Sequence, residues 1–600
     1  MKKRIICTLL SIMITASMIT GCGSAKVADT AATSSYTEEE PAEAPASSRK
    51  NNSKTGNTAN RTAKGDTGAE APGSTYDYAA TEDACLDAGS AMYDSYSYNY
   101  SYEKSYNDNY YDSYYDNYYN TEEYSGITEN GFSSAMTSPL STFAADVDTA
   151  SYSNFRRFVN QGYRLGDFPS GSIRTEEMVN YFTYDYEDPD NGDIFGVDAT
   201  ISDCPWNEDS QLMILGINTK TMRKSKMPDS NIVFLIDVSG SMSSSNKLPL
   251  IQQSMELLME NFDENDRISI VTYASGTDIK LNGASGDEER KIMRTFNRLQ
   301  AGGSTNGGDG IKLAYEVAEE NFIEDGVNRV IICSDGDFNV GLTTQSELED
   351  LISKEKESGI FLSVLGFGMN NYSDTTMETL ADKGNGNYAY IDTLGEAKKV
   401  LVEEMSSTFV TVAKDVKLQV EFNPAMISEY RLVGYENRGL AAEDFTDDSK
   451  DGGEMGAGHQ VTAIYEIVLA DGKDDGSDLK YQDSSISKKG NRKDEYCTLS
   501  IAYKEPDRNR SQYEEYPIGA ENYTRRPDDD FIFASMVAEA SLALRDSEYL
   551  ADVTADEALE DIIEELENMR NLDEYQEEFL DLITDVADSS YSYNYYYDYE

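Results

Sequence analysis

The stretch Asn231 to Ser241, NIVFLIDVSGS, constrains what this chain can fold into more than any other. Ile232 to Ile236 is continuously apolar and rich in β-branched residues, which predicts a strand covered on both faces in a parallel sheet. The run ends abruptly in polarity. Asp237, Ser239 and Ser241 follow at a spacing of two, in a turn that Gly240 lets bend tightly, so three oxygen-bearing side chains can converge at the carboxyl end of a buried strand. Ligands of open α/β sheets bind at that end.

Oxygen donors from Asp and Ser suit a hard divalent cation, Mg²⁺ before Ca²⁺, because neither imidazole nor thiolate is offered. Two later pieces complete the set. Ala301 to Gly310, AGGSTNGGDG, runs into a segment of helical period and puts Thr305 in a loop at a helix start. Val330 to Cys333 is a second apolar strand, and Ser334-Asp335-Gly336-Asp337 follows it as Asp237 follows the first.

These motifs, in this order, resemble the von Willebrand factor type A (VWA) domain and its metal-ion-dependent adhesion site (MIDAS), over about Asn231 to Phe409. Carried over residue by residue, the resemblance implies Asp237, Ser239, Ser241, Thr305 and Asp335 around one Mg²⁺, with Ca²⁺ or Mn²⁺ as substitutes. It also implies that the Ser and Thr hydroxyls touch the metal while the two Asp act largely through water. Neutral oxygens leave a cation most of its charge, so it can draw a carboxylate from a protein partner into an open position. Asp309 and Asp337 add negative charge nearby, either as solvated loop carboxylates or as groups that act on the ion from behind or hold a second ion.

The same region alternates strand and helix, which gives a doubly wound, mainly parallel sheet with helices on both faces. Its antiparallel strand is expected near Asp278 to Leu281, and its last helix over Leu394 to Phe409. Strands expected before it, Phe195 to Ile201 and Gln211 to Thr219, have counterparts after it at Val416 to Phe422, Glu429 to Tyr435, Val461 to Leu469 and Tyr496 to Tyr503. The expected fold class is therefore α/β, a VWA sheet inserted into a β-sandwich-like domain. An N-terminal helical module, C-terminal helices and disordered tails complete it. The module, Ser138 to Asp190, resembles one that precedes the A domain in YfbK-like bacterial lipoproteins. Within it Asp146, Asp148 and Ser151 could pass for a metal turn, but Ser151, Phe155 and Phe158 suit a capped amphipathic helix. Phe531 to Leu550 and Ala555 to Val586 carry the spacing of further helices, the second with an acidic outer face.

The expected boundaries are a signal peptide to residue 21, a tether over 22–137, the helical module over 138–190 and early strands over 191–228. The VWA domain follows over 229–410, later strands over 411–510, C-terminal helices over 511–588 and a Tyr-rich tail over 589–600. Met1-Lys2-Lys3-Arg4 is a basic start, and the apolar Ile5 to Ile19 is short for a membrane span. Ile19-Thr20-Gly21-Cys22 looks like a bacterial lipobox, making Cys22 the lipidated residue of an extracytoplasmic protein held at the cell membrane. The tether is poor in aliphatics and cannot offset its ordering entropy. As a coil of roughly 115 residues it would reach about 60 Å on average. Its Tyr93 to Tyr124 run, matched in composition by Tyr591 to Tyr599, is either solvated acidic tail or a sticky surface for cell-wall polymer.

Across its 600 residues the net charge is −60, from 110 acidic and 50 basic side chains. That balance argues against nucleic acid as a partner. Cys85, Cys204, Cys333 and Cys497 are too far apart for a zinc site, and a Cys204 to Cys497 bridge is left open. The loop Gly302 to Gly310 lacks the Lys-Ser/Thr ending of a P-loop. Enzyme chemistry finds little support: no second Asp stands two positions after Asp237, no general acid is apparent, and the single histidine, His459, falls at a strand start. The readings carried forward are a Mg²⁺-dependent binding or assembly module, a metal-dependent phosphohydrolase, and a scaffold whose ion serves folding alone.

Overall fold

The computed structural model describes residues 124–597 apart from 146–147, 190–191, 224–225, 260, 306, 337–344, 369–373, 451, 471–494, 507, 509 and 551–552. Cys22, Cys85, Asp146, Asp337 and nearly all of the Tyr93 to Tyr124 run lie outside the described residues.

In chain order the strands are β1 (Ser133–Ser134), β2 (Leu140–Ala144), β3 (Phe195–Asp203), β4 (Gln211–Thr219), β5 (Ser230–Asp237), β6 (Arg267–Tyr273), β7 (Thr277–Ser285) and β8 (Val327–Ser334). They continue as β9 (Phe361–Phe367), β10 (Tyr388–Ile391), β11 (Thr411–Phe422), β12 (Ile427–Val433), β13 (Gly453–Gly456), β14 (Gln460–Leu469), β15 (Glu495–Lys504) and β16 (Gln512–Gly519). The helices are α1 (Ala150–Asn160), α2 (Thr175–Val179), α3 (Leu248–Met259), α4 (Glu289–Phe296), α5 (Gly307–Glu320), α6 (Gln345–Glu357) and α7 (Asp374–Lys383). After them come α8 (Leu394–Lys398), α9 (Met405–Phe409), α10 (Asp529–Leu544), α11 (Ala555–Asn568) and α12 (Glu574–Tyr597).

The central sheet has the order β10-β9-β8-β5-β6-β7 and is parallel except for β7, which runs against β6. Along β5 successive side chains serve two different cores, as a period of two requires. Ile232, Phe234 and Ile236 pack under α3, α4 and α8 to α9, whereas Val233 and Leu235 pack under α5, α6 and α7. Both faces are therefore covered, which is why an unbroken apolar run was needed here.

The strands on either side of this domain pair with each other. β4 lies against β14 and β3 in the sheet β1-β12-β14-β4-β3, which faces a second sheet, β13-β11-β15-β16, with β2 also on β11. Met213, Leu215 and Ile217 of β4 enter the core between the sheets with Leu418, Val420 and Leu499. Leu212 and Ile214 point the other way, into a core made with Tyr152, Phe182, Phe533, Leu559 and Phe579. The expected sandwich split by an inserted α/β domain is thus present, and the N- and C-terminal helices together cover its outer face.

Several expectations need correction. Leu140–Ala144, read as part of a helical module, is a strand: its pairing with Lys417 to Glu421 buries Phe143 completely, and a long-range ladder outweighs local helical spacing. The tether does not extend to residue 137, because Asn130 Nδ2 donates to the carbonyls of Leu432 (3.2 Å) and Gly434 (2.8 Å) and β1 pairs with β12. The helix expected over Leu394 to Phe409 is broken by a π turn, Lys399–Glu403, which places the Lys399 ammonium 4.7 Å from the Tyr181 ring. Ala555 to Val586, expected to be helical, is divided between α11, which stops at Asn568, and α12, with Asn571 between them in the left-handed region (φ 63°). The tail expected from residue 589 is helical as far as Tyr597, since nothing after Glu574 is a Gly or Pro that would end α12.

Asp148 and Ser151 serve structure, as expected. Asp148 accepts from the Tyr388 amide (3.2 Å) and from Arg438 (2.9 Å). The Ser151 amide at the start of α1 donates to Glu177 Oε2 at 2.9 Å, so α1 is capped from α2 and not by its own sequence. Cys204, Cys333 and Cys497 are all buried and free, and no Cys204 to Cys497 bridge exists. Cys497 Sγ instead lies 3.6 Å from Met213 Sδ, and burial pushes its thiol up to about 12.

Candidate metal centre

Asp237 closes β5 and is fully buried. In the parallel register it stands opposite Tyr273, the last residue of β6, while Ile236 pairs with Cys333 of β8, two positions before Asp335. Three strands thus end at one level. The loops that leave them share one edge of the sheet.

The first loop folds back at once. The Ser239 amide donates to Asp237 Oδ1 at 2.7 Å, and Ser239 Oγ lies 2.9 Å from Ser241 Oγ, so the DxSxS turn does bring its polar atoms together. Gly240–Ser243 forms a single 3₁₀ turn whose Met242 is buried, which anchors the loop from beneath. The loop carrying Thr305 is tied to this turn from the side: the Gly240 amide donates to the Gly303 carbonyl (3.1 Å) and the Gly302 amide to the Val238 carbonyl (2.8 Å). Gly303 has φ 99°, and a Cβ there would come within 2.6 Å of Ser275 Oγ, so only glycine fits. Gly310 lets α5 settle on the sheet, where a Cβ would already stand 3.0 Å from that of Tyr273. The glycines of AGGSTNGGDG therefore act in docking the loop and helix, with Thr305 half-exposed two residues before α5.

Burial pushes the Asp237 carboxyl up to about 6, against the bonds from Ser239 that hold it down, and the nearby Asp335 adds to the rise. Asp237 Oδ2 is buried without a well-formed hydrogen bond, the Tyr273 hydroxyl being the donor that stands near this carboxyl and helps hold its pKa down. A desolvated carboxylate oxygen short of donors is costly unless a cation completes it. Asp335, also fully buried, receives Lys247 Nζ at 2.9 Å. Among the described residues no three His, Cys, Asp or Glu side chains gather as a metal cluster. Any cation here would be held by two carboxylates together with hydroxyls, a donor set that suits a hard ion. The residues present fit such an ion.

Asp309 lies exposed in the first turn of α5. His459 is half-buried just before β14. Two contributors escaped the sequence reading. Ser275, after β6, accepts from the Ser304 amide at 2.9 Å and so fixes the Thr305 loop. Lys247 reaches Asp335 across 88 positions. Its one legible sign is that no other Lys or Arg occurs between Lys226 and Arg267.

Several known proteins and family models are similar to this chain. Residues 231–404 match the model of the von Willebrand factor type A domain, residues 118–214 one described as von Willebrand factor, and residues 407–588 one described as "Uncharacterized protein YfbK, C-terminal". The protein YfbK of Escherichia coli (strain K12) is 43% identical over 437 residues, covering 72% of this chain and 75% of that one. Inter-alpha-trypsin inhibitor heavy chain H3 of Mesocricetus auratus is 26% identical over 167 residues, or 26% of this chain and 18% of that one. Among solved structures, von Willebrand factor type A from Catenulispora acidiphila is similar at 14% identity and a TM-score of 0.36, covering 60% of this chain and 82% of that one.

Proposed function

Because this chain belongs to the YfbK family of proteins with a VWA domain, we propose that it is a binding protein of the cell envelope. VWA domains imply an interaction or adhesion role, and many hold a metal at a MIDAS site. In this reading Asp237, Ser239, Ser241, Thr305 and Asp335 hold Mg²⁺, with Ca²⁺ or Mn²⁺ able to replace it. The ion's open position takes an Asp or Glu carboxylate from a protein partner, and no bond is made or broken.

The single observation that carries this reading is the buried Asp237 carboxylate, whose Oδ2 lacks a well-formed hydrogen bond, beside the paired Ser239 and Ser241 hydroxyls. A buried polar atom left unsatisfied in a native fold calls for a ligand or a function. Titration calorimetry of the full chain with Mg²⁺ tests it. We expect one site, with uptake lost in Ser239→Ala and in Thr305→Ala while the circular dichroism spectrum is retained. Equal uptake in both variants, or none by the unsubstituted chain, would refute it.

The same proposal places the chain on the outer face of the membrane, held by lipid on Cys22. No helix among the described residues is long and apolar enough to cross a bilayer. One acyl chain holds only reversibly and two hold firmly, so Cys22→Ser should move the protein from the membrane fraction to the soluble fraction. Continued membrane retention of that variant would count against the anchor.

A further inference from the structure

A cleft of about 340 Å³ opens between α10, α11 and the corner that follows β3, and none of the residues of the candidate metal centre lines it. Its size is that of a small-molecule site, well above the roughly 30 Å³ share of one water. Phe531, Met536 and Ile562 supply apolar wall, and Asp203, Glu539, Asp561 and Glu565 supply charge. No Lys or Arg lines it.

Glu539 is the unusual member. It interrupts an otherwise uncharged run between Asp530 and Arg545, is only 6% exposed, and receives no hydrogen bond or ion pair among the described residues. Burial, with Asp561 adding to it, raises its carboxyl to about 7. Such a group weakens the fold unless something cationic meets it. Asp561 and Glu565 stand one helical turn apart on α11 and are exposed, as is Asp203 at the end of β3, so the charge is graded from one buried carboxylate to three exposed ones. These carboxylates do not gather closely enough to cage a metal ion. Charge spread along a partly apolar cleft suits a longer cation.

We propose that this cleft binds a primary ammonium group on a short alkyl chain, with the buried Glu539 taking the ammonium and the apolar wall taking the methylenes. A lysine side chain of a partner and a free alkyl diamine share that chemistry.

The test titrates the full chain, with chelator present so that divalent cations are absent, against 1,5-diaminopentane and against Nα-acetyl-lysine amide in mildly alkaline buffer. 1-Pentanol, which has the alkyl chain without the charge, serves as the control. At least one amine should bind, and Glu539→Gln should weaken it by about tenfold or more, because a charge-assisted hydrogen bond is exchanged for a neutral one. The thermal midpoint of that variant should not fall, since a desolvated carboxyl has been removed. Binding of the lysine derivative alone assigns the site to a protein partner, and binding of the diamine alone to a free amine. If Glu539→Gln does not fold, the double variant Asp561→Asn/Glu565→Gln must show the weakening instead. Failure of both amines to bind, equal binding of pentanol, or undiminished amine affinity in the folded variant would overturn the proposal.

Discussion

Arg156→Met lowers the stability of the folded chain by about 3–5 kcal/mol near neutral pH, the range expected when one partner of a buried ion pair is removed. Arg156 sits on α1, is 4% exposed, and reaches Asp392 Oδ1 at 2.7 Å, Glu396 Oε2 at 3.1 Å and Glu578 Oε2 at 3.0 Å. It also donates to the Tyr181 hydroxyl at 2.7 Å, and that hydroxyl donates to Glu396 at 2.8 Å. One guanidinium thus joins three segments hundreds of residues apart: the N-terminal helices, the end of the VWA sheet and the last helix. Its planar fork satisfies acceptors that a lysine could not reach together.

The loss should depend on pH, and its direction follows from Asp392. Burial holds that carboxyl up at about 6 even with Arg156 opposing the rise. Without Arg156 it rises further. A carboxyl whose folded pKa exceeds its unfolded value binds more protons in the folded state, so stability falls as pH rises between the two values. The deficit of Arg156→Met should therefore be smaller at pH 5 than at pH 8. Urea denaturation at the two pH values measures this, and an equal deficit at both would show that Asp392 does not sense Arg156.

Lys247→Met has the second large effect and bears on the proposed cation. Lys247 is 6% exposed and Asp335 fully buried, so deleting the ammonium leaves a desolvated carboxylate and should cost about 3 kcal/mol in chelator. The Lys247 stem packs against Gly368 (φ 90°), where a Cβ would stand 2.2 Å from the Lys247 Cε, and methionine keeps most of that contact. Mg²⁺ should restore part of the loss, because an ion bound only by the folded state stabilises it by mass action. Thermal melts of both proteins in chelator and in Mg²⁺ give the comparison. If the added ion raises the midpoint of Lys247→Met no more than that of the unsubstituted chain, the cation does not share Asp335 with Lys247.

How far the fold could be read differs between elements for identifiable reasons. β5 was legible because its whole environment is written in five consecutive apolar residues, and the chain must turn at Asp237 whatever surrounds it. Leu140–Ala144 was misread because its burial comes from β11, more than 270 positions later. The split sandwich was inferable because strands on both sides of the inserted domain share length and alternation. The division of β4 between two cores was not, since both sets of residues are equally apolar.

The site divides in the same way. Residue type and spacing alone determined which side chains offer hard oxygen, and that Asp237, Ser239 and Ser241 meet, because two-residue spacing in a tight turn leaves them little else to do. Tertiary structure decided the rest. Parallel register sets β5, β6 and β8 to end at one level, Ser275 and Gly303 lock the Thr305 loop onto the first turn, and Lys247 is delivered to Asp335. Local pattern encodes a strand's faces and its ends, whereas the neighbour each end meets follows from packing and backbone hydrogen bonds summed over the whole domain.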